Sequence, residues 1–211
     1  MPDPALVALA ERLQGVCLGR RLTVATAESC TGGLVAENIT GVPGSSAYFL
    51  GGVVAYADAA KVELLGVPGT AVEAHGAVSA QVARAMAEGC QTRFGASLAV
   101  SITGIAGPDG GSEAKPVGLT YLGLAGPRPT EVRRFVFAGD RAAVRAAATR
   151  EALEWLIAAA EAGPPHPARR ANPRRRDRGR RCIRGRPPGA WGRGRRQRLR
   201  QRRPVALHPG A

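Results

Sequence analysis

Lysine is nearly absent from this chain. Of 30 basic residues among 211, only Lys61 and Lys115 are lysines. Positive charge is written as Arg, so a position that keeps Lys is suspected of needing an amine, which can lose its proton when desolvated; a guanidinium cannot. The plainer reading is that two lysines remain by chance on solvated surface. Histidine is scarce too: of three, only His75 precedes Pro164. A Ser-His-Asp triad therefore has at most one candidate, and a lone His in the turn Glu73-Ala74-His75-Gly76 reads as structural. No His/Asp/Glu cluster has ligand spacing, which argues against metal-assisted hydrolysis. Cys17, Cys30, Cys90 and Cys182 lie far apart without a C-x-x-C pair, which excludes a zinc site or disulfide framework and makes a reducing cytoplasm the expected compartment. No apolar run reaches the length of a membrane span, so no membrane partner is expected. Asp3, Glu11 and Arg12 interrupt Met1–Leu13, so no secretory signal is read there.

The charge that is present is unevenly spread. The formal net charge is +14, but 17 Arg and a single acid, Asp177, fall in residues 164–211. Residues 1–163 are left slightly acidic. At about 160 residues that part buries roughly 70% of its extended surface, enough for one core. The expected organisation is one folded domain over 1–163 and an Arg/Pro/Gly-rich, disordered tail over 164–211. The tail's composition also matches an out-of-frame translation of GC-rich coding sequence.

Periodicity places the elements. Leu6, Leu9, Leu13 and Val16 predict an amphipathic helix over 4–18, and Leu22, Val24 and Thr26 a strand ending at Glu28. A helix follows over 31–40, then a strand over 49–56 and a short helix over 58–65. Ser79 reads as the N-cap of a helix running to Phe94. Leu98, Val100 and Ile102 mark a third strand. Strands over 117–124 and 132–137 form a hairpin around Gly126–Pro127, and a last helix starts near Asp140. Helices alternating with strands, one strand pair antiparallel, specify an α/β layered domain with a mixed β-sheet flanked by helices.

Three loops carry small and polar residues where strands end. Ala27-Glu28-Ser29-Cys30-Thr31-Gly32-Gly33 sits at a strand-to-helix turn, where a nucleophile could stand beside the unpaired N–H groups of the helix start; a merely capped helix start is the alternative. Tyr56-Ala57-Asp58-Ala59-Ala60-Lys61 holds one of the two lysines. Residues 103–116, from Thr103 to Pro116, contain four glycines and the other lysine, which suits close approach of backbone to a phosphate. This is neither a P-loop nor a dinucleotide fingerprint. With triad and metal disfavoured, a Ser activated by a neutral Lys is the remaining economical hydrolase.

These segments, with Gly44-Ser45-Ser46-Ala47, His75-Gly76-Ala77-Val78-Ser79, Lys115-Pro116-Val117-Gly118 and Gly139-Asp140-Arg141, resemble the C-terminal domain family of the competence/damage-inducible protein CinA over about residues 4–161. The family includes nicotinamide-nucleotide amidohydrolases (NMN deamidases), which convert nicotinamide mononucleotide to nicotinate mononucleotide and ammonia. The resemblance implies a serine amidohydrolase with a Ser/Lys dyad and without metal or other cofactor. The chain departs from the family at 57–59, where Ala57, Asp58 and Ala59 stand in place of Ser/Thr, Asn and Glu/Asp, and in its tail.

On this reading Ser29 is the nucleophile, Lys61 the general base and Tyr56 the orienting or relaying group, with Ser46 as the competing nucleophile. Backbone N–H groups around Cys30, Thr31 and Gly32 would hold the oxyanion. Thr103, Gly104, Gly107 and Lys115 would bind the ribose-phosphate, with Arg141 and Arg145 as further phosphate partners. An ordinary lysine, with a pKa near 10.4, is neutral only about once in 2,500 at pH 7. The base must therefore be buried or lie beside another cation, Lys115 or an Arg being the candidates. The expected partner is a small nucleotide, self-association is left open, and nucleic acid would be met only through the tail. The competing function is a catalytically inactive nucleotide- or nucleic-acid-binding protein whose Arg run grips polyanions.

Overall fold

The computed structural model describes residues 3–163, so expectations for the Arg-rich tail lie outside the described residues. Helix α1 (Pro4–Arg20) leads into strand β1 (Val24–Glu28), followed by α2 (Leu34–Thr40), β2 (Phe49–Val54), α3 (Asp58–Leu65), α4 (Gly69–His75) and α5 (Ala80–Phe94). Strands β3 (Leu98–Gly104), β4 (Leu119–Ala125) and β5 (Glu131–Val136) precede α6 (Arg141–Ala162), the last helix among the described residues. The strands form one sheet in the order β2-β1-β3-β4-β5. Strand β1 runs parallel to both its neighbours, whereas β4 and β5 are antiparallel additions. This is the mixed, helix-flanked α/β sheet expected from the sequence.

Alternation along the strands sorts two cores onto the two faces. Val24, Leu98, Val100, Ile102 and Leu122 pack with α1, α2 and α6. Ala25, Ala27 and Ala99 face the other way, with Val82, Met86 and Cys90 of α5 and Leu65 of α3. The second face is lined with small residues because α5 lies almost on the sheet. Ser101 donates to the Ala83 carbonyl at 2.6 Å, and a Cβ on Gly123 would lie 2.5 Å from that same oxygen.

One element and several boundaries differ from the sequence reading: α2 starts at Leu34 rather than 31, and β2 ends at Val54 rather than 56. Helix α4 was not anticipated: it is a two-turn segment without a buried residue, entered from Pro68, so it carries no apolar stripe to detect. Strand β4 starts at Leu119 rather than 117, since Gly118 has φ of 89° and donates its N–H to Ile105. Among the described residues no helix is long and apolar enough to cross a membrane.

Candidate active site

The site is built at the carboxyl end of β1 and β3, where the parallel strands release the chain into turns. After β1 the backbone reverses through Gly32 and Gly33, whose φ values of 64° and 98° suit glycine. Glu28, 1% exposed, closes this turn from within. Its carboxylate accepts the N–H groups of Gly33 at 3.0 Å, Val35 at 3.1 Å and Ala36 at 2.9 Å. These are donors that a helix start otherwise leaves unpaired. The anion at the α2 N-terminus is thus the protein's own side chain, which corrects the expectation that the whole helix start is open to a ligand. Arg145 of α6 braces the other side of the turn, donating to the Thr31 carbonyl at 2.7 and 3.3 Å.

Ser29 and Cys30, both buried, sit between these braces. The Gly32 N–H is spent on the Ser29 carbonyl. Burial pushes the Cys30 thiol up to about 11, with the nearby Glu28 charge adding to the effect; the backbone N–H groups of Cys30 and Thr31 and the charge of Arg145 oppose it. At neutral pH the group is a thiol, not a thiolate nucleophile.

Helix α3 delivers Lys61, 1% exposed, to the same place. Its Nζ donates to the Tyr56 carbonyl and to Asp58 Oδ1, both at 3.1 Å. The sequence reading asked for burial or a neighbouring cation. Burial is present, but the neighbour is an anion. The anticipated cation is elsewhere: Lys115 donates to the His75 carbonyl at 2.7 Å, mooring the β3–β4 loop to the end of α4.

Arg141, in the first turn of α6, donates to the Gly107 carbonyl and to the Tyr56 hydroxyl, each at 2.8 Å. Thr103, at the end of β3, donates to the Ala77 carbonyl at 2.9 Å and holds the approach to α5. A cavity of about 270 Å³ opens among these groups, lined by Ser29, Cys30, Tyr56, Lys61, Thr103, Gly104, Gly107 and Arg141 together with Asp58 and Asp109. That is slightly below the range of about 300–1,000 Å³ usual for ligand pockets.

Five residues singled out from sequence stand outside the lining. Thr31 and Gly32 form the turn behind it, and Arg145 is occupied in bracing that turn. Lys115 lies at the loop's far end. Ser46 is exposed in the 3-10 turn Ser45–Ala47 that enters β2. Because β2 runs parallel to β1, Ser46 lies at the opposite end of the sheet from Ser29, a strand length of roughly 15 Å away. Sequence reasoning did not single out Asp58 or Glu28 for these roles. Among the described residues no group of three or more His, Cys, Asp or Glu is placed to hold a metal ion.

Comparison with known proteins places the chain in context. The CinA C-terminal domain model matches residues 6–160. A CinA-like protein of Geobacter sulfurreducens is 56% identical over 135 residues, covering 64% of this chain and 33% of that protein. One from Anaeromyxobacter dehalogenans is 52% identical over 156 residues, covering 74% and 36%. The chain thus spans about a third of the length of these curated relatives. Among solved structures, the competence/damage inducible protein CihA of Agrobacterium tumefaciens aligns with a TM-score of 0.72 at 42% identity, covering 75% of this chain and 96% of that one. A CinA superfamily protein of Klebsiella pneumoniae aligns with 0.71 at 33%, covering 74% and 98%.

Proposed function

Since this chain belongs to the CinA C-terminal domain family, we propose that it is an amidohydrolase that converts nicotinamide mononucleotide to nicotinate mononucleotide and ammonia. The observation that carries this reading is a buried lysine amine and a buried serine lining one pocket without a histidine. In such a site a Lys is the base available to the hydroxyl.

The chemistry follows from the placement. Ser29 Oγ attacks the carboxamide carbon while the neutral Lys61 amine takes its proton. The backbone N–H groups of Cys30 and Thr31, in the turn that carries Ser29, are the donors offered to the oxyanion. Lys61 then gives the proton to the departing nitrogen, ammonia leaves, and an ester on Ser29 remains. Water enters, loses a proton to Lys61 and attacks the ester; Lys61 gives that proton to the departing Ser29 Oγ, and the acid so formed loses its remaining proton to solvent as the carboxylate. Tyr56, whose hydroxyl accepts from Arg141, keeps its own O–H free to donate to a substrate oxygen. Arg141 and the loop backbone from Gly104 to Gly107 offer the ribose-phosphate its contacts. Lys115 and Arg145 contribute by holding the walls.

The deciding experiment is ammonia release from nicotinamide mononucleotide by the full chain, with nicotinate mononucleotide identified as co-product. Turnover that persists in EDTA and vanishes in Ser29→Ala is expected. No release above a protein-free blank would overturn the proposal.

A further inference from the structure

The strongest feature that the reaction above does not use is a carboxylate. Asp58 Oδ1 lies 3.1 Å from Lys61 Nζ, one helical turn earlier on α3. The two ends of this pair live in different surroundings: the Lys61 side chain is 2% exposed, that of Asp58 57%. Among the described residues, the other charged groups around the pocket make no ion pair with Lys61. Glu28 is spent on α2 N–H groups. Arg141 from α6 holds Gly107 and Tyr56. Asp109 lines the wall from the β3–β4 loop, and the Cys30 thiol is neutral. Asp58 is therefore the charged partner that Lys61 meets directly, and it stands where the resemblance noted above has a neutral Asn.

We propose that Asp58 is a positioning residue that holds Lys61 as the ammonium in the resting site and thereby sets the pH at which the site becomes competent. The inference rests on the Ser29/Lys61 reading. A general base needs a lone pair on Nζ. Before the first turnover the ammonium must release one proton to a solvent base, for which the half-exposed Asp58 carboxylate is the outlet. What remains is a neutral amine still hydrogen-bonded to the Tyr56 carbonyl and to Asp58. Thereafter the proton that Ser29 loses departs with ammonia and the one that it regains comes from water, each by way of Lys61, so the amine ends every turnover neutral. A carboxylate beside the amine stabilises its charged form, so competence arrives at higher pH than it would beside an amide.

Asp58→Asn removes the charge and keeps both the size and an acceptor oxygen. Removal of an opposite charge at this range is worth about 1–3 pH units, and the exposure of Asp58 puts the effect at the lower end. In the full chain, the rising limb of kcat/KM against pH should move down by about one unit in Asp58→Asn, a roughly tenfold faster rate below the midpoint. The high-pH plateau should be kept. Asp58→Glu, which restores the charge, should return the limb towards its original position. A purely structural role would lower the plateau or the melting temperature and leave the limb in place, and that result would overturn the proposal.

A second readout needs no activity. The chain has only two lysines, so lysine-labelled protein gives two 13Cε titration curves. Asp58→Asn should move one curve and leave that of Lys115, identified by Lys115→Arg, unchanged. Two unmoved curves would overturn the inference whatever the rates do. A moved curve in a protein that releases no ammonia would uphold the Asp58 hold on Lys61 and overturn the deamidase reading instead.

Discussion

The turn that follows β1 and the turn that enters β2 both contain serine and glycine and lie at opposite ends of the sheet, yet the two ends are chemically unlike. At the carboxyl end the strong groups near Ser29 each have a partner: Glu28 pairs with the start of α2, Arg145 with Thr31, Lys61 with Asp58 and Arg141 with Tyr56. At the amino end the turn around Ser46 closes on itself through bonds from Ala47 to Gly44 and from Tyr48 to Ser45, with its hydroxyl in water. The difference lies in solvation. A hydroxyl in water competes with bulk solvent for any substrate, whereas one held among buried, oriented groups works against a fixed field. Serine content alone marks neither case.

The sharpest break of this contrast is kinetic. Ser29→Ala and Lys61→Arg should each lower turnover of nicotinamide mononucleotide by at least about 10³, since members of a catalytic unit fail together. Ser46→Ala should stay near wild type. Activity kept in Ser29→Ala and lost in Ser46→Ala would reverse the two ends. Next in size is stability, read by urea unfolding. Glu28→Ala strands three N–H groups and should cost about 3 kcal/mol or more, whereas Ser45→Ala should stay within about 0.5 kcal/mol.

A subtler comparison uses two arginines. Arg141→Ala should raise KM about tenfold, the scale of one lost charge-assisted contact. Arg133, on the edge strand β5 and stacked 4.2 Å from the Trp155 ring, should leave KM unchanged when it is replaced by Ala. Equal effects would mean that the second arginine also serves the site. The smallest effect concerns Cys30. Burial favours its protonated form, so alkylation by iodoacetamide should be negligible at neutral pH and rise only as the pH climbs towards about 11. Rapid labelling at pH 7 would show that the turn is open.

Much of this was readable in the sequence because it has a period. The strands alternate, α1 and α5 carry their apolar stripes, and Ser79 caps α5 through Val82 as its position suggested. The Ser29, Tyr56 and Lys61 motifs were legible because each sits at the end of an element with a clear pattern. What stayed hidden depends on distance across the fold. Glu28 caps a helix that starts six residues later, outside the usual capping spacing. Residue type could not tell that Lys115 would turn to a carbonyl or that Arg145 would brace a turn, since an arginine on a phosphate and one on a backbone oxygen look the same in a sequence. The partner of Lys61 was within reach, as Asp58 at i and Lys61 at i+3 share a helical face; attention to a neighbouring cation obscured the neighbouring anion.

The grip of Arg141 also fixes when in the life of the molecule the pocket comes into being. Its guanidinium joins partners 85 and 34 residues earlier in the chain, and it belongs to the last of the described helices to leave the ribosome. Synthesis runs from the amino end, so the other helices and all five strands can emerge while the Tyr56 hydroxyl and the Gly107 carbonyl still wait for their cation. Completion of the pocket wall is thereby tied to arrival of α6, and a nascent or truncated polypeptide ending before that helix has a sheet but no finished pocket.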